Sequence, residues 1–142
     1  MNRGVSLVEL IATLLVVAVL SALVVPRLGS MLDRVATEAA AAEITMALAA
    51  TRHAAVTSGR RARLLIAPDS LRLDRLDPNG WSPRRRWPGP GAWGVALGVS
   101  NPQVTYGPTG IGWGLSNTNI VLLRGSQKET IVTSRVGRVK RG

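Results

Sequence analysis

The 142-residue sequence contains no cysteine, a single histidine and few acidic residues. The lack of cysteine excludes disulfides, and it excludes any metal site or nucleophile that depends on a thiolate. The single histidine, His53, has no Asp, Glu or Cys near it at metal-ligand spacing. Since no other catalytic constellation is present, we predict a protein that is not an enzyme and needs no metal or cofactor.

Acidic residues are scarcest in the second part of the chain. From residue 60 onward there are 14 Lys and Arg against 4 Asp and Glu, whereas residues 1–59 contain 4 of each. The formal net charge of +10 therefore belongs to the C-terminal part. Such a surplus favours anionic partners, namely nucleic acid, phospholipid head groups or acidic proteins. The alternative is that arginine serves only solubility.

The first part of the chain has one long apolar run. Residues 5–25 read VSLVELIATLLVVAVLSALVV and carry one charge, Glu9. At 1.5 Å per residue, a helix of this length spans about 30 Å, the thickness of a bilayer core. A cleaved secretory signal has a shorter apolar region that ends at small residues, whereas this pattern continues beyond Pro26. We therefore predict a single transmembrane helix over residues 5–25.

Glu9 is the unusual residue of this span, because an intramembrane carboxylate costs about 3 kcal/mol on insertion scales. If the chain were cleaved after Gly4, the new α-amino group of Val5 would lie about one helical turn from Glu9. The carboxylate could then pair with the amine of its own chain or of a neighbour. The alternative is a carboxylate that reaches back to the head groups.

The start of the chain, MNRG followed by VSLVE, resembles the class III signal of type IV pilins and type II secretion pseudopilins. In that family a short basic leader ends in Gly, a prepilin peptidase cuts after it, and a Glu stands at the fifth mature position. Arg3, Gly4 and Glu9 match this pattern, and Pro26 falls where pilin helices often carry a proline. Val5 stands where Phe or Met is usual.

This resemblance implies a leader over residues 1–4 and an N-methylated mature chain that begins at Val5. It also implies a single-pass protein of the bacterial inner membrane, with its C-terminal domain in the periplasm. The implied partners are the prepilin peptidase, the inner membrane and other pseudopilins or minor pilins.

Residues 26–59 continue the helix in amphipathic form, because apolar residues recur at steps of mostly three or four. We predict one helix over about 5–58 whose second half packs on a sheet, with His53 packed or half-buried on the apolar stripe. Pro26 should bend or loosen this helix, and Gly59 is the predicted C-cap. The apolar stripe comprises Leu28, Met31, Leu32, Val35, Ala39, Ala42, Met46, Ala49, His53 and Val56.

Short apolar runs predict a β domain over residues 60–142, with turns at Pro68-Asp69 and Gly125-Ser126. A long helix followed by short strands predicts an α+β, pilin-like fold, in which the helix packs on a small, mostly antiparallel sheet. The predicted strands are 61–67, 70–76, 95–99, 104–106, 119–124, 130–134 and 135–140.

Residues 77–94 interrupt these strands with four Pro, three Trp and the consecutive Arg84, Arg85 and Arg86. We predict a long loop here. Arginine among tryptophans suits cation–π contacts and nucleic-acid binding; the alternative is a solvated loop whose rings cover a small core. Three aspartates of this region are predicted to be solvated turn residues and not a metal site: Asp69, Asp74 and Asp77.

The C-terminal part resembles the GspH/FimT family through an aromatic-Pro-Gly element, an apolar strand and a terminal basic motif. The matching residues are Tyr106, Pro108, Gly110, the run NIVLLRG, Gly137, Arg138 and Lys140. The resemblance implies either a minor pseudopilin of a type II secretion system, or a FimT-like minor pilin that binds DNA during uptake. The candidate DNA-binding residues are Arg135, Arg138, Lys140 and Arg141, with Arg84, Arg85 and Arg86 as a second group.

Overall fold

The computed structural model describes residues 5–142. It contains one long helix, eight strands and a 3-10 turn, Pro90–Trp93. The chain divides into two compact units, of which one ends at Leu32 and the other comprises Asp33–Gly142. The elements are α1 (Leu7–Ser58), β1 (Ala62–Ile66), β2 (Ser70–Asp77), β3 (Gly80–Pro88), β4 (Ala96–Val99), β5 (Gln103–Tyr106), β6 (Thr118–Arg124), β7 (Gln127–Thr133) and β8 (Val139–Arg141).

Helix α1 confirms the single long helix that the sequence predicts. It continues through Pro26 and ends at Ser58. The next residue, Gly59, has a φ of 62°, which is the left-handed conformation of a C-cap. The first part of α1 is long and apolar enough to cross a membrane. Pro26 leaves the carbonyl of Ala22 without its usual helical donor; a bend at this position stays a prediction.

The second part of α1 supplies one wall of the core, and mostly through small residues. Nine of its residues are buried; five of these are alanine, and the two polar ones are Thr37 and Thr51. The hydroxyls of Thr37 and Thr51 donate to the carbonyls of Asp33 and Ala47, at 2.8 and 2.7 Å. Because these bonds satisfy the hydroxyls within the helix, both threonines can be buried like apolar residues.

The predicted apolar stripe does not make this contact, so that expectation is wrong. Met46 and Val56 are 48% and 49% exposed, and His53 is exposed instead of packed. The sheets contact the adjacent face, which is centred on Ile44 and Leu48. Since alanine occurs all around this helix, its spacing allowed more than one apolar stripe, and the buried threonines concealed the right one.

The strands form two antiparallel four-stranded sheets, one in the order β3-β2-β1-β5 and the other in the order β4-β6-β7-β8. This arrangement confirms the α+β prediction. One apolar core joins the helix to both sheets. Each fully buried Leu or Ile in it contributes about 1.5–3 kcal/mol of transfer free energy. Its central side chains are Ile44, Leu48, Leu64, Leu71, Ile120, Leu122 and Ile131.

The prediction of a loop over residues 77–94 is wrong, because Gly80–Pro88 is strand β3. The strand lies at the edge of the first sheet, where a proline need not donate to a neighbouring strand. Its register with β2 shifts between Leu73 and Asp74, and this bulge sets Pro83 opposite Asp74. Edge position and bulge together allow a proline-containing sequence to pair.

Two later strands begin at other residues than predicted. β7 starts at Gln127, because the two-residue turn Gly125-Ser126 lets pairing begin immediately beyond it. β8 starts at Val139 and not at Arg135, because Gly137, with φ of 76°, lies in a turn.

Candidate functional site

The membrane-proximal candidates lie at the start of α1. Val5 is 69% exposed, and Glu9 is exposed on the first turns of the helix. Within residues 5–142, the Glu9 carboxylate has no hydrogen bond or ion pair, while its carbonyl accepts a bond from the Thr13 hydroxyl at 2.7 Å. Gly4 lies outside the described residues. Cleavage after Gly4 and pairing of Glu9 with a mature N-terminus both stay predictions.

The C-terminal basic motif is built on a hydrogen-bonded turn between β7 and β8. The Ser134 amide donates to the Arg138 carbonyl at 2.9 Å, and the Gly137 amide donates to the Ser134 carbonyl at 2.9 Å. The Ser134 hydroxyl accepts a bond from the Arg138 amide at 3.2 Å. A side chain at Gly137 would lie 2.7 Å from the carbonyl oxygen of Gly110, which explains the glycine.

The four basic residues of this motif differ in their pairing. Arg141 pairs with Glu129. Arg135, Arg138 and Lys140 are exposed, and none of them has a carboxylate partner within residues 5–142. Three uncompensated cations on one short segment therefore remain available to an anion.

The helix adds a cation that the sequence did not suggest. Arg52 is exposed and has no ion pair in the described part of the chain. Its Nε lies 3.0 Å from the place that a Cβ on Gly110 would occupy, and 3.6 Å from the equivalent place on Gly137. Arg52 and Arg138 line one cavity of about 720 Å³, together with His53 and Tyr106. Sequence spacing held no signal that these two arginines are neighbours, because they lie 86 positions apart in the chain.

Tyr106 is the buried aromatic residue that lines that cavity. The residue is only 1% exposed, and its hydroxyl has no hydrogen-bond partner within residues 5–142. Burial raises the pKa of Tyr106, while the nearby positive charge of Arg52 acts in the opposite direction. The phenol is therefore neutral at ordinary pH.

The second predicted basic group, on β3, has a different environment. Arg84 pairs with Asp77, and Arg86 lies 3.9 Å from Asp69. Arg85 lies 4.9 Å from the ring centroid of Trp87. Since Arg84 and Arg86 already lie beside aspartates, this run is a weaker anion site than the C-terminal turn.

The aspartates of the first sheet form ion pairs with arginines. Burial raises the pKa of Asp77, but the hydrogen bonds from Arg75 and Arg84 outweigh it, so that the pKa of Asp77 is lowered. Arg60 also bonds Asp77, at 3.0 Å. No group of His, Cys, Asp and Glu that could hold a metal ion is present in the part of the chain that the structure describes.

Asp74 is not the solvated turn residue that we expected. It is 2% exposed and accepts hydrogen bonds from Arg63 at 3.0 Å and from Arg72 at 2.9 Å. The register of β2 places it in the middle of the sheet. A buried carboxylate needs such partners because it has lost its hydration.

The architecture is similar to that of solved pilin-like proteins. No family model matches the sequence, and no curated protein matches it. Among solved structures, the type IV minor pilin FimU of Pseudomonas aeruginosa matches with a TM-score of 0.64 and 17% identity, over 76% of this chain and 89% of that chain. The minor pseudopilin EpsH from the type 2 secretion system of Vibrio cholerae matches with a TM-score of 0.61 and 13% identity, over 74% of this chain and 94% of that chain.

These matches have low sequence identity and cover nearly the whole length of the solved chains. They therefore show a shared fold, and a shared fold does not imply a shared function. The chain has the type IV pilin-like fold that is seen in the minor pilin FimU and the minor pseudopilin EpsH.

Proposed function

We propose that the protein is a minor subunit of a pilin-like filament, and specifically of the periplasmic pseudopilus of a type II secretion system that exports proteins. The observation that carries this proposal is helix α1. Its residues up to Leu32 are exposed and mostly apolar, and nine of its residues between Ala36 and Ala55 line the core of an α+β domain. A helix of this kind suits a subunit that is held first by lipid and then by neighbouring helices.

Processing would convert the membrane anchor into an assembly element. Cleavage after Gly4 by a prepilin peptidase would free the amine of Val5. The Glu9 carboxylate, which has no partner of its own in residues 5–142, would then pair with the amine of an adjacent subunit. In an apolar environment an unpaired carboxylate is costly, so this pairing would fix the axial position of each incoming subunit.

The exposed stripe of the second half of α1 supports the same proposal. Val35, Met46 and Val56 are each about half exposed, and the small residues Ala42 and Ala49 lie between them on that face. A stripe of this kind, left uncovered by the subunit's own sheets, suits close packing against helices of neighbouring subunits in the filament centre.

Replacement of Glu9 tests this proposal directly. We expect Glu9→Ala to remain in the inner membrane, since the span becomes more apolar, but to be lost from filaments. Membrane fractionation and co-purification with the other pseudopilins measure the two effects. Glu38→Ala, which removes an exposed carboxylate from the same helix, is the matched control and should assemble. Normal assembly of Glu9→Ala would refute the pairing role.

DNA binding through the C-terminal turn is the second candidate function. It is favoured by the uncompensated charges of Arg135, Arg138 and Lys140, with Arg52 beside Arg138. Arginine and lysine contacts to phosphates supply most sequence-independent affinity. Lys140 keeps the charge but lacks the bidentate fork of an arginine. In this role the subunit would be a FimT-like minor pilin of a DNA-uptake pilus.

Binding of random duplex DNA to the full chain in uncharged detergent tests this candidate. We expect affinity to fall with rising salt, and Arg138→Ala to weaken binding and reduce the salt slope by about 1. Arg141→Ala should have the smaller effect, because Glu129 already engages Arg141. Arg34→Ala, at an exposed arginine of helix α1 that belongs to neither candidate group, is the control. Binding that is indifferent to salt or to Arg138→Ala would exclude this role.

A further inference from the structure

The outer face of the first sheet carries two arginine–tryptophan pairs. Strand alternation turns Ala62 and Leu64 into the core, so Arg61 and Arg63 lie on the opposite face. The guanidinium carbon of Arg61 lies 3.8 Å from the ring centroid of Trp113, and that of Arg63 lies 4.3 Å from the ring centroid of Trp81. Both distances are those of cation–π contacts.

A groove of about 430 Å³ runs between the two tryptophans. Its polar lining comes from Asn101, Gln103 and Thr105. The Asn101 side chain accepts a bond from the Gln103 amide at 3.2 Å and donates to the Leu115 carbonyl, so it is held between the loop before β5 and the loop before β6. The groove therefore presents indole rings and a guanidinium beside an amide and a hydroxyl.

Trp113 is held in place but remains open to solvent. It is 51% exposed, and its ring lies 3.4 Å from the place that a Cβ on Gly107 would occupy. Its amide donates to the Thr105 carbonyl at 2.8 Å, which ties the segment to the edge of the sheet. An exposed indole on an ordered backbone is a ready contact for a planar ring.

The positive charge around the groove favours anionic ligands among those with planar rings. Residues 60–88 contain eight arginines and three aspartates. Asp74 balances Arg63, but Arg61 has no carboxylate partner within residues 5–142. An uncompensated guanidinium that lines the same groove as two indoles favours an anionic polymer with flat groups over a neutral sugar chain.

We propose that this groove binds single-stranded nucleic acid, with bases against Trp81 and Trp113 and a phosphate at Arg61. Unpaired bases are required, because bases within a duplex are stacked on each other and cannot reach an indole face. The site is on the first sheet and uses none of the residues of the C-terminal turn. It stands whether or not that turn binds duplex DNA.

The test compares two oligonucleotides on the full chain in uncharged detergent: a short oligothymidylate, and an abasic strand of equal length. We expect the oligothymidylate to bind about tenfold more tightly and to quench tryptophan fluorescence, as one base stack requires. Trp113→Ala should reduce this preference, because only the stack on Trp81 remains, whereas Trp113→Tyr, which keeps an aromatic ring, should retain most of it. Trp93→Ala, at a 40% exposed tryptophan outside the groove, is the control.

Equal affinity for the two strands, or a preference that Trp113→Ala leaves unchanged, would overturn the proposal. Competition by a neutral glucose oligosaccharide would also overturn it, in favour of a glycan site. Arg138→Ala separates the two nucleic-acid proposals, because it should weaken duplex binding and leave the preference for bases over the abasic strand intact. Circular dichroism of each variant verifies that the β domain is folded.

Discussion

The two parts of helix α1 differ in what surrounds them, although one unbroken helix contains both. Up to Leu32 every described residue of the helix is exposed, and most are Leu, Val or Ile. From Asp33 onward nine residues are buried, and most of these are Ala or Thr. Large apolar residues suit lipid or neighbouring helices, whereas small ones let a helix lie close to its own sheets. The helix is thus divided by composition and not by a break in its backbone.

The largest effect expected from this division is on the free energy of unfolding. One leucine from each part of the helix provides a matched pair of variants. Leu48 is 0% exposed and Leu32 is 64% exposed. Leu48→Ala should lower the free energy of unfolding of the β domain by about 2–5 kcal/mol, because it leaves a cavity in the core. Leu32→Ala should change it by less than about 0.5 kcal/mol.

Denaturant unfolding of the full chain in detergent, followed by tryptophan fluorescence, measures both leucine variants. The buried Trp87 reports the state of the domain. Equal losses of stability in the two variants would mean that the division at Leu32 is misplaced.

A smaller, local effect is expected at Pro26, near the end of the first part. Pro26→Ala restores a donor to the Ala22 carbonyl and removes the steric clash of the ring, which together are worth up to about 3 kcal/mol. Amides around this position should therefore exchange with solvent more slowly in the variant, by up to about a hundredfold. Hydrogen exchange in detergent measures this. Unchanged exchange would show that the helix is not weakened at Pro26.

The smallest effect concerns the ion pair at the start of the domain half. Arg124 Nε lies 2.9 Å from Asp33 Oδ1, and both side chains are about one-third exposed. Asp33→Asn should cost at most about 1 kcal/mol of unfolding free energy, and less at high salt. Glu38→Gln, which breaks the exposed pair with Arg34, should leave stability unchanged. A loss as large as that of Leu48→Ala would mean that this pair organises the domain.

The fold was largely predictable because its strongest signals are local. The apolar run of residues 5–25, the glycine at residue 59 and the alternation of Leu71 and Leu73 each indicate one structure. Strand β3 was missed because its prolines are compatible with an edge strand only. The packed face of α1 was missed because its threonines satisfy their hydroxyls within the helix.

The candidate sites were less predictable, because they depend on contacts between distant residues. The basic residues near the C-terminus were evident, but the sequence could not tell Arg138 from Arg141, which Glu129 engages. Nor could it bring Arg52 to Arg138, or Trp113 to Arg61. Such distinctions between paired and unpaired charges require the register of the strands.

The length of the mature chain is the most direct test of the proposal that α1 is a processed assembly helix. Intact mass of the protein purified from inner membranes should correspond to a chain that begins at Val5. The variant Gly4→Ala should retain residues 1–4. A wild-type protein that still begins at Met1 in cells with an active prepilin peptidase would contradict the account.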